Sequence, residues 1–136
     1  MNNQEAFTLA LTKLRQQEFA SVSPDGTCLY RSQYGCCAVG HMLPAELEVG
    51  PYNGQCADSL LRHLPGTGIE KVNRSLLARM QRAHDMLFPM PPSIQETEAM
   101  TASREGEFGS GRGRGEWEGA MKQIAEEFDL NYEVPA

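Results

Sequence analysis

The chain has 136 residues, of which 40% are hydrophobic and 22% charged, with a formal net charge of −6. That length fits one domain with a core of its own. Clustered phosphate contacts to nucleic acid are not expected from an acidic balance, and no apolar run approaches the ~18 residues that span a bilayer.

The first residues, MNNQEAFTLALTKLRQQEF, are polar and interrupted by charge. They do not read as a secretory signal, so an intracellular protein is the expectation. Phe7, Ala10, Leu11 and Leu14 recur at helical spacing after Asn2 and Asn3, which predicts a helix over 3–19 with an asparagine cap. Ser-Pro-Asp-Gly at 23–26 is turn chemistry at every position.

The stretch 28–46, CLYRSQYGCCAVGHMLPAE, holds three of the four cysteines. Two β-prone runs flank Ser-Gln-Tyr-Gly, which predicts an antiparallel hairpin of 28–31 with 36–39. In that register Arg31 faces Cys36, Tyr30 faces Cys37 and Cys28 faces Val39. Alternation then gives Cys28, Tyr30, Cys37 and Val39 one inner face, with Cys36 and Ala38 on the other. Cys28 and Cys37 become diagonal neighbours roughly 7–8 Å apart, too far for a relaxed disulfide. They are expected reduced, as small buried hydrophobes.

Pro44 opens a predicted short helical turn, Pro-Ala-Glu-Leu-Glu, that Gly50-Pro51 ends. Tyr-Asn-Gly is a further turn, and 55–64 a short helix closed by Pro65-Gly66. A longer helix is predicted over 70–88, with Val72, Leu76, Met80, Ala83 and Leu87 as its apolar stripe. Residues 93–115 lack apolar period, and 101–115 carry five glycines, so this segment reads as a flexible insertion within a single domain of 1–136. A last helix over 116–129 places Trp117, Met121, Ile124 and Phe128 on one face, with Trp117 directed at the Leu76–Met80–Leu87 stripe. The fold class is α+β, with three to four helices packed on one small hairpin.

Three kinds of site use these residues. A zinc site would recruit Cys28, Cys37 and His41, with Cys56 or His63 as a fourth ligand. No two cysteines stand in C-x-x-C spacing, however, which argues against a zinc module or a redox motif. A catalytic site would pair Cys37 as nucleophile with His84 as base, in a cysteine-dependent hydrolase or transferase. His84 lies at the edge of the apolar stripe and Asp85, one helical step on, points elsewhere, which weakens a relay. A half-buried His84 bonded to a backbone carbonyl is the simpler expectation. No complete catalytic constellation, metal or cofactor motif is visible, which favours a binding module whose contacts include Arg31, Glu46, Arg112 and Arg114. Arg112 and Arg114 lie in Gly-Ser-Gly-Arg-Gly-Arg-Gly, flanked by glutamates, where two arginines are too few to predict binding to single-stranded nucleic acid.

Taken together, CLYR, Gly, CCAVGHMLPAE, then LLARMQRAHD, and last W with MKQIAEEFDL resemble a family of small proteins found in bacteriophage and prophage genomes. Its pattern runs Cys-x-Tyr-Arg, Gly, Cys-Ala-Val/Ile-Gly, Leu-Ile-Pro-Asp-Glu, Leu-Gln-x-x-His-Asp, and Trp with Ile/Val-Ala. The match falls on Cys28, Tyr30, Arg31, Cys37, Gly40, Pro44, Glu46, His84, Asp85 and Trp117. Leu-Pro-Ala-Glu replaces Ile-Pro-Asp-Glu, Met80 stands where Leu is common, and the loop before Trp117 is longer. The resemblance implies a phage-encoded accessory protein in the cytoplasm of a host bacterium. Its expected role is to bind and inhibit a host protein, a defence or regulatory factor, without a cofactor and away from membranes.

Overall fold

The computed structural model describes residues 1–25 and 27–132. Five helices surround a two-stranded hairpin, the α+β arrangement expected. Helix α1 spans Asn3–Gln16, opened by a reciprocal cap in which Asn2 accepts from the Glu5 N–H while the Glu5 carboxylate accepts from the Asn2 N–H. That box satisfies two of the N–H groups a helix start leaves unpaired. Its buried face is Ala6, Phe7, Ala10, Leu11 and Leu14, the predicted stripe with one added alanine. The turn that follows α1 bonds Thr27 N–H to Ser23 Oγ at 3.2 Å; Gly26, its predicted fourth member, lies outside the described residues.

The hairpin has the predicted register and less than the predicted length. Strands β1 (Arg31–Ser32) and β2 (Gly35–Cys36) pair Arg31 with Cys36 and Ser32 with Gly35. Beyond those pairs the ladder stops, because other partners take the backbone groups it needs. Tyr30 N–H donates to Asn53 Oδ1 at 2.9 Å and Val39 N–H to Gln81 Oε1 at 3.1 Å. Cys28 bridges Val22 instead of Val39. Gly40 packs so closely on Tyr30 that a Cβ there would sit 2.1 Å from the Tyr30 carbonyl oxygen, and the chain at 40–42 turns into a 3-10 helix, Gly40–Met42. Tyr30, Cys37, Val39 and Ala38 are all fully buried, and Cys28 only partly, so the predicted two-face alternation ends with the ladder.

Residues 44–47 close only one turn, through Leu47 N–H to Pro44 O at 3.2 Å, and a second 3-10 helix follows at Gly50–Tyr52. Helix α2 is Ala57–His63. Helix α3 begins at Arg74, four residues later than its stripe suggests, and ends at Leu87. The cause is local: Asn73 accepts from the N–H groups of Ser75 and Leu76, while Glu70 caps the preceding turn through Thr67 and Gly68. Helix α5, Arg114–Glu127, packs on α3. Trp117 is fully buried and meets Phe88 edge-on at 5.1 Å between ring centroids.

The segment 93–115 is the main correction. It contains helix α4, Glu98–Phe108, capped by Thr97 at its start and by the left-handed Gly109, φ 67°, at its end. Its buried residue is Arg104, a charge, so the apolar period that marks other helices is absent. Glu96 holds the segment in place. Its carboxylate accepts from Arg104 Nε at 3.0 Å and from Arg112 Nε at 2.9 Å, and Arg112 Nη1 reaches the Phe88 carbonyl at 2.9 Å. Arg104 also donates to the Ser110 carbonyl. No described helix is long and apolar enough to cross a membrane.

Candidate functional site

The residues richest in chemistry meet where α3 faces the hairpin. Gln81, His84 and Asp85 stand at i, i+3 and i+4, which puts them on neighbouring positions of one helix face. The Gln81 amide spans the gap: Oε1 accepts from Val39 N–H, while Nε2 donates to Cys28 Sγ at 2.8 Å and to Asp85 Oδ1 at 3.0 Å. Contrary to expectation, Asp85 does not turn away. Its Oδ1 lies 2.8 Å from His84 Nδ1, because a carboxylate one residue on can fold back along the helix.

His84 is 0% exposed, and its Nε2 accepts the Ser21 N–H at 3.1 Å. That fixes the tautomer: the proton is on Nδ1, donated to Asp85. The imidazole is thus deeper than expected and accepts a backbone N–H where a carbonyl was the anticipated partner. Its basic nitrogen is already occupied and it makes no hydrogen bond to Cys37. Ser21 joins the network through its hydroxyl, which donates to Leu29 O at 2.7 Å and meets Ser32 Oγ at 2.9 Å.

Cys37 is 0% exposed and its sulfur accepts the Gly40 N–H at 3.3 Å. Cys28 is the thiol that reaches a cleft, of about 230 Å³, with Gln55, Cys56, Gln81 and Asp85 also on its walls. Hydrogen bonding with the Cys37 thiol, burial and the Asp85 carboxylate push Cys28 far above the ordinary thiol range. A nucleophilic cysteine requires the opposite surroundings, a neighbouring cation or an available base. Burial and the same thiols and carboxylate push the Tyr30 phenol up as well, and its O–H donates to the Gln55 carbonyl at 2.8 Å.

His41, the third ligand of the alternative zinc site, turns to Gln17 on α1, with Nε2 donating to Oε1 at 2.8 Å. Burial, then His84 and Lys13, push it down to about 4. His41 is not brought to Cys28 and Cys37, and among the described residues no group of three or more His, Cys, Asp or Glu side chains is placed to hold a metal. Gln17 is a residue that sequence reasoning missed. It also accepts from Cys36 N–H and donates to Cys36 O, both at 3.0 Å, which ties α1 to the hairpin. Gly35, at φ 129°, leaves the room: a Cβ there would fall 2.1 Å from Gln17 Oε1.

The four anticipated contact residues divide sharply. Arg112 is held by Glu96 and Phe88, and Arg114 donates to the carbonyls of Gln17 and Arg15, both at 2.6 Å. Both side chains are bonded within the chain. Arg31 does not pair with Glu46. It clamps the backbone of the following loop, through Pro44 O at 2.5 Å and Leu47 O at 2.6 Å. Glu46 and Glu48 project from that clamped loop, exposed and without an ion-pair partner among the described residues.

No family model matches the chain, and no curated protein or solved structure matches it either.

Proposed function

We propose that the protein binds and occludes a basic surface of a host protein, as a phage-encoded accessory factor acting in the bacterial cytoplasm against a defence or regulatory component. The observation that carries the binding part concerns charge. Every arginine is bonded within the chain, either to a carboxylate or to backbone carbonyls. Glu46 and Glu48 are left facing outward on a loop whose shape Arg31 fixes. A preformed acidic loop loses little entropy on docking and favours basic partners during encounter. It offers nothing to a phosphate backbone. The phage and host assignments rest on the motif resemblance.

A binding role also agrees with the thiol chemistry. Neither Cys28 nor Cys37 has a free base beside it, and the His84 lone pair is taken. Affinity capture from host lysate with the wild-type chain and with the Glu46→Lys/Glu48→Lys variant tests the reading. Wild type should retain a partner that the variant loses at least tenfold, with an unchanged Tm. Equal capture by both would remove the acidic loop from the interface. Turnover of a thioester or peptide substrate abolished by Cys28→Ser would replace binding with catalysis.

A further inference from the structure

Residues 20–22 run between two segments and are bonded unequally on their two sides. On one side the Leu29 N–H donates to the Ser21 carbonyl at 3.0 Å and the Ser23 N–H to the Thr27 carbonyl at 2.9 Å, the flanking bonds of the Val22–Cys28 bridge. On the other side the Ala20 N–H donates to the Pro89 carbonyl at 2.7 Å. Residues two apart in an extended chain share an edge, so Val22 aims its N–H and carbonyl along the Ala20 edge, away from Cys28. The opposite segment does not continue the pairing. Pro91 and Pro92 have no N–H to donate, and the Pro91 carbonyl accepts from the Ile94 N–H at 2.9 Å, which curls the segment on itself. Val22 is only 2% exposed, yet among the described residues neither its N–H nor its carbonyl has a hydrogen-bond partner. Buried backbone groups are rarely left so.

A cavity of about 550 Å³ opens beside Val22, within the size range of small-molecule sites. Val22, Leu29, Tyr34 and Ile94 give it apolar walls, Ser32 and Ser93 add hydroxyls, and no charged side chain lines it. Its frame is fixed. Tyr34 stands edge-on to Phe19 at 6.3 Å between ring centroids, and its N–H donates to Ser32 Oγ at 3.2 Å. The Tyr34 hydroxyl meets Ser93 Oγ at 3.5 Å and so joins the hairpin turn to the opposite wall.

We propose that this cavity binds a small uncharged molecule that carries a carboxamide or lactam edge on an apolar body. The N–H and C=O of one extended residue lie side by side, and an amide edge offers the complementary acceptor and donor in the same arrangement. A carboxylate has acceptors alone and would set one against the Val22 carbonyl. An amidinium has donors alone and would set one against the Val22 N–H. Either ion would also be desolvated against neutral walls. The burial of Val22 admits the end of a compact ligand and excludes a peptide strand running past. The site lies apart from the Glu46–Glu48 loop, and the inference stands independently of the occlusion reading.

The test titrates the isotope-labelled full chain with benzamide, benzoate and benzamidine, probes of one shape that differ in charge and in donors. Benzamide should shift the amide resonances of Val22, Leu29, Tyr34 and Ile94 saturably, with the Val22 N–H moving downfield. Benzoate and benzamidine should bind at least tenfold more weakly. Leu29→Trp fills the cavity and Ser93→Trp covers its exposed rim, and each should abolish benzamide binding with an unchanged Tm. Ser93 is exposed, so its variant keeps the test decisive where Leu29→Trp disturbs the fold. No saturable shift up to the solubility limit of benzamide, shifts centred elsewhere, unchanged binding by Ser93→Trp, or equal binding of the three probes (an adventitious apolar contact only) would each overturn the inference.

Discussion

Two buried polar clusters hold this fold, and they are built in opposite ways. Around Gln81 the groups are nearly all neutral and mutually satisfied: the amide uses both ends, His84 uses both nitrogens, and each thiol has a donor. Around Glu96 one carboxylate serves two guanidinium groups, each with a side chain only 9% exposed, and Arg112 Nη2 is buried without a partner. The first cluster contains the residue types that suggest catalysis and uses them for cohesion. The second sits in a stretch that reads as a solvated linker and secures a helix through charge. Residue type and structural work are thus separable, and only the partners decide.

The largest effect should come from removing the ionic cluster. Deleting 103–113 takes out Arg104 and Arg112 together and leaves Glu96 buried without them. The chain should lose its cooperative melting transition. A deletion with an unchanged Tm would restore the linker reading of this segment. Glu96→Ala is the finer version, since it leaves two buried guanidinium groups unpaired, at a cost of about 3–5 kcal/mol. Amide exchange should show α4 losing protection first, while α1 and α3 keep theirs.

The neutral cluster should respond less to each single change. Gln81→Leu leaves Val39 N–H buried without an acceptor, which costs about 1–3 kcal/mol by denaturant titration. Cys37→Ser puts a hydroxyl where a fully buried thiol accepts only one N–H, and should cost about 1–3 kcal/mol with no other phenotype. If Cys37→Ser kept its Tm and lost a measurable activity, the cluster would be catalytic after all.

Titration separates Glu96 from His41, the imidazole bonded to Gln17, by pH. Burial alone would raise Glu96, but hydrogen bonds from Arg112, Thr101 and Arg104 outweigh it and hold the carboxyl below its ordinary 4.5. Its contribution is complete above the unfolded value and is lost as pH falls through the folded one, so Tm should drop below about pH 4.5. His41 acts earlier. The unfolded chain protonates it near 6.5 and the folded one only at about 4, so the unfolded state binds more protons between those values. Stability should therefore decline gently from pH 6.5 to 4, and His41→Gln should flatten that part of the curve while leaving the steeper acid limb.

What the sequence determined by itself is what local chemistry encodes. The apolar stripes of α1, α3 and α5, the cap at Asn2 and the Arg31–Cys36 register follow from periods, caps and turn residues within a few positions. The tertiary structure decided where polar side chains go. Gln17 and Gln81 carry no period, yet one joins α1 to the hairpin and the other joins α3 to Val39 and Cys28, across spans that no local pattern reports. Gln81, with Asn53, also truncates the hairpin, because each backbone group they satisfy no longer needs a strand partner. Helix α4 escaped notice because pattern reading registers apolar burial, whereas its anchor is Arg104 on Glu96. Asp85 followed the same rule: the helical step gave its direction from the axis, and only the packed His84 and Gln81 beside it decided where its carboxylate came to rest.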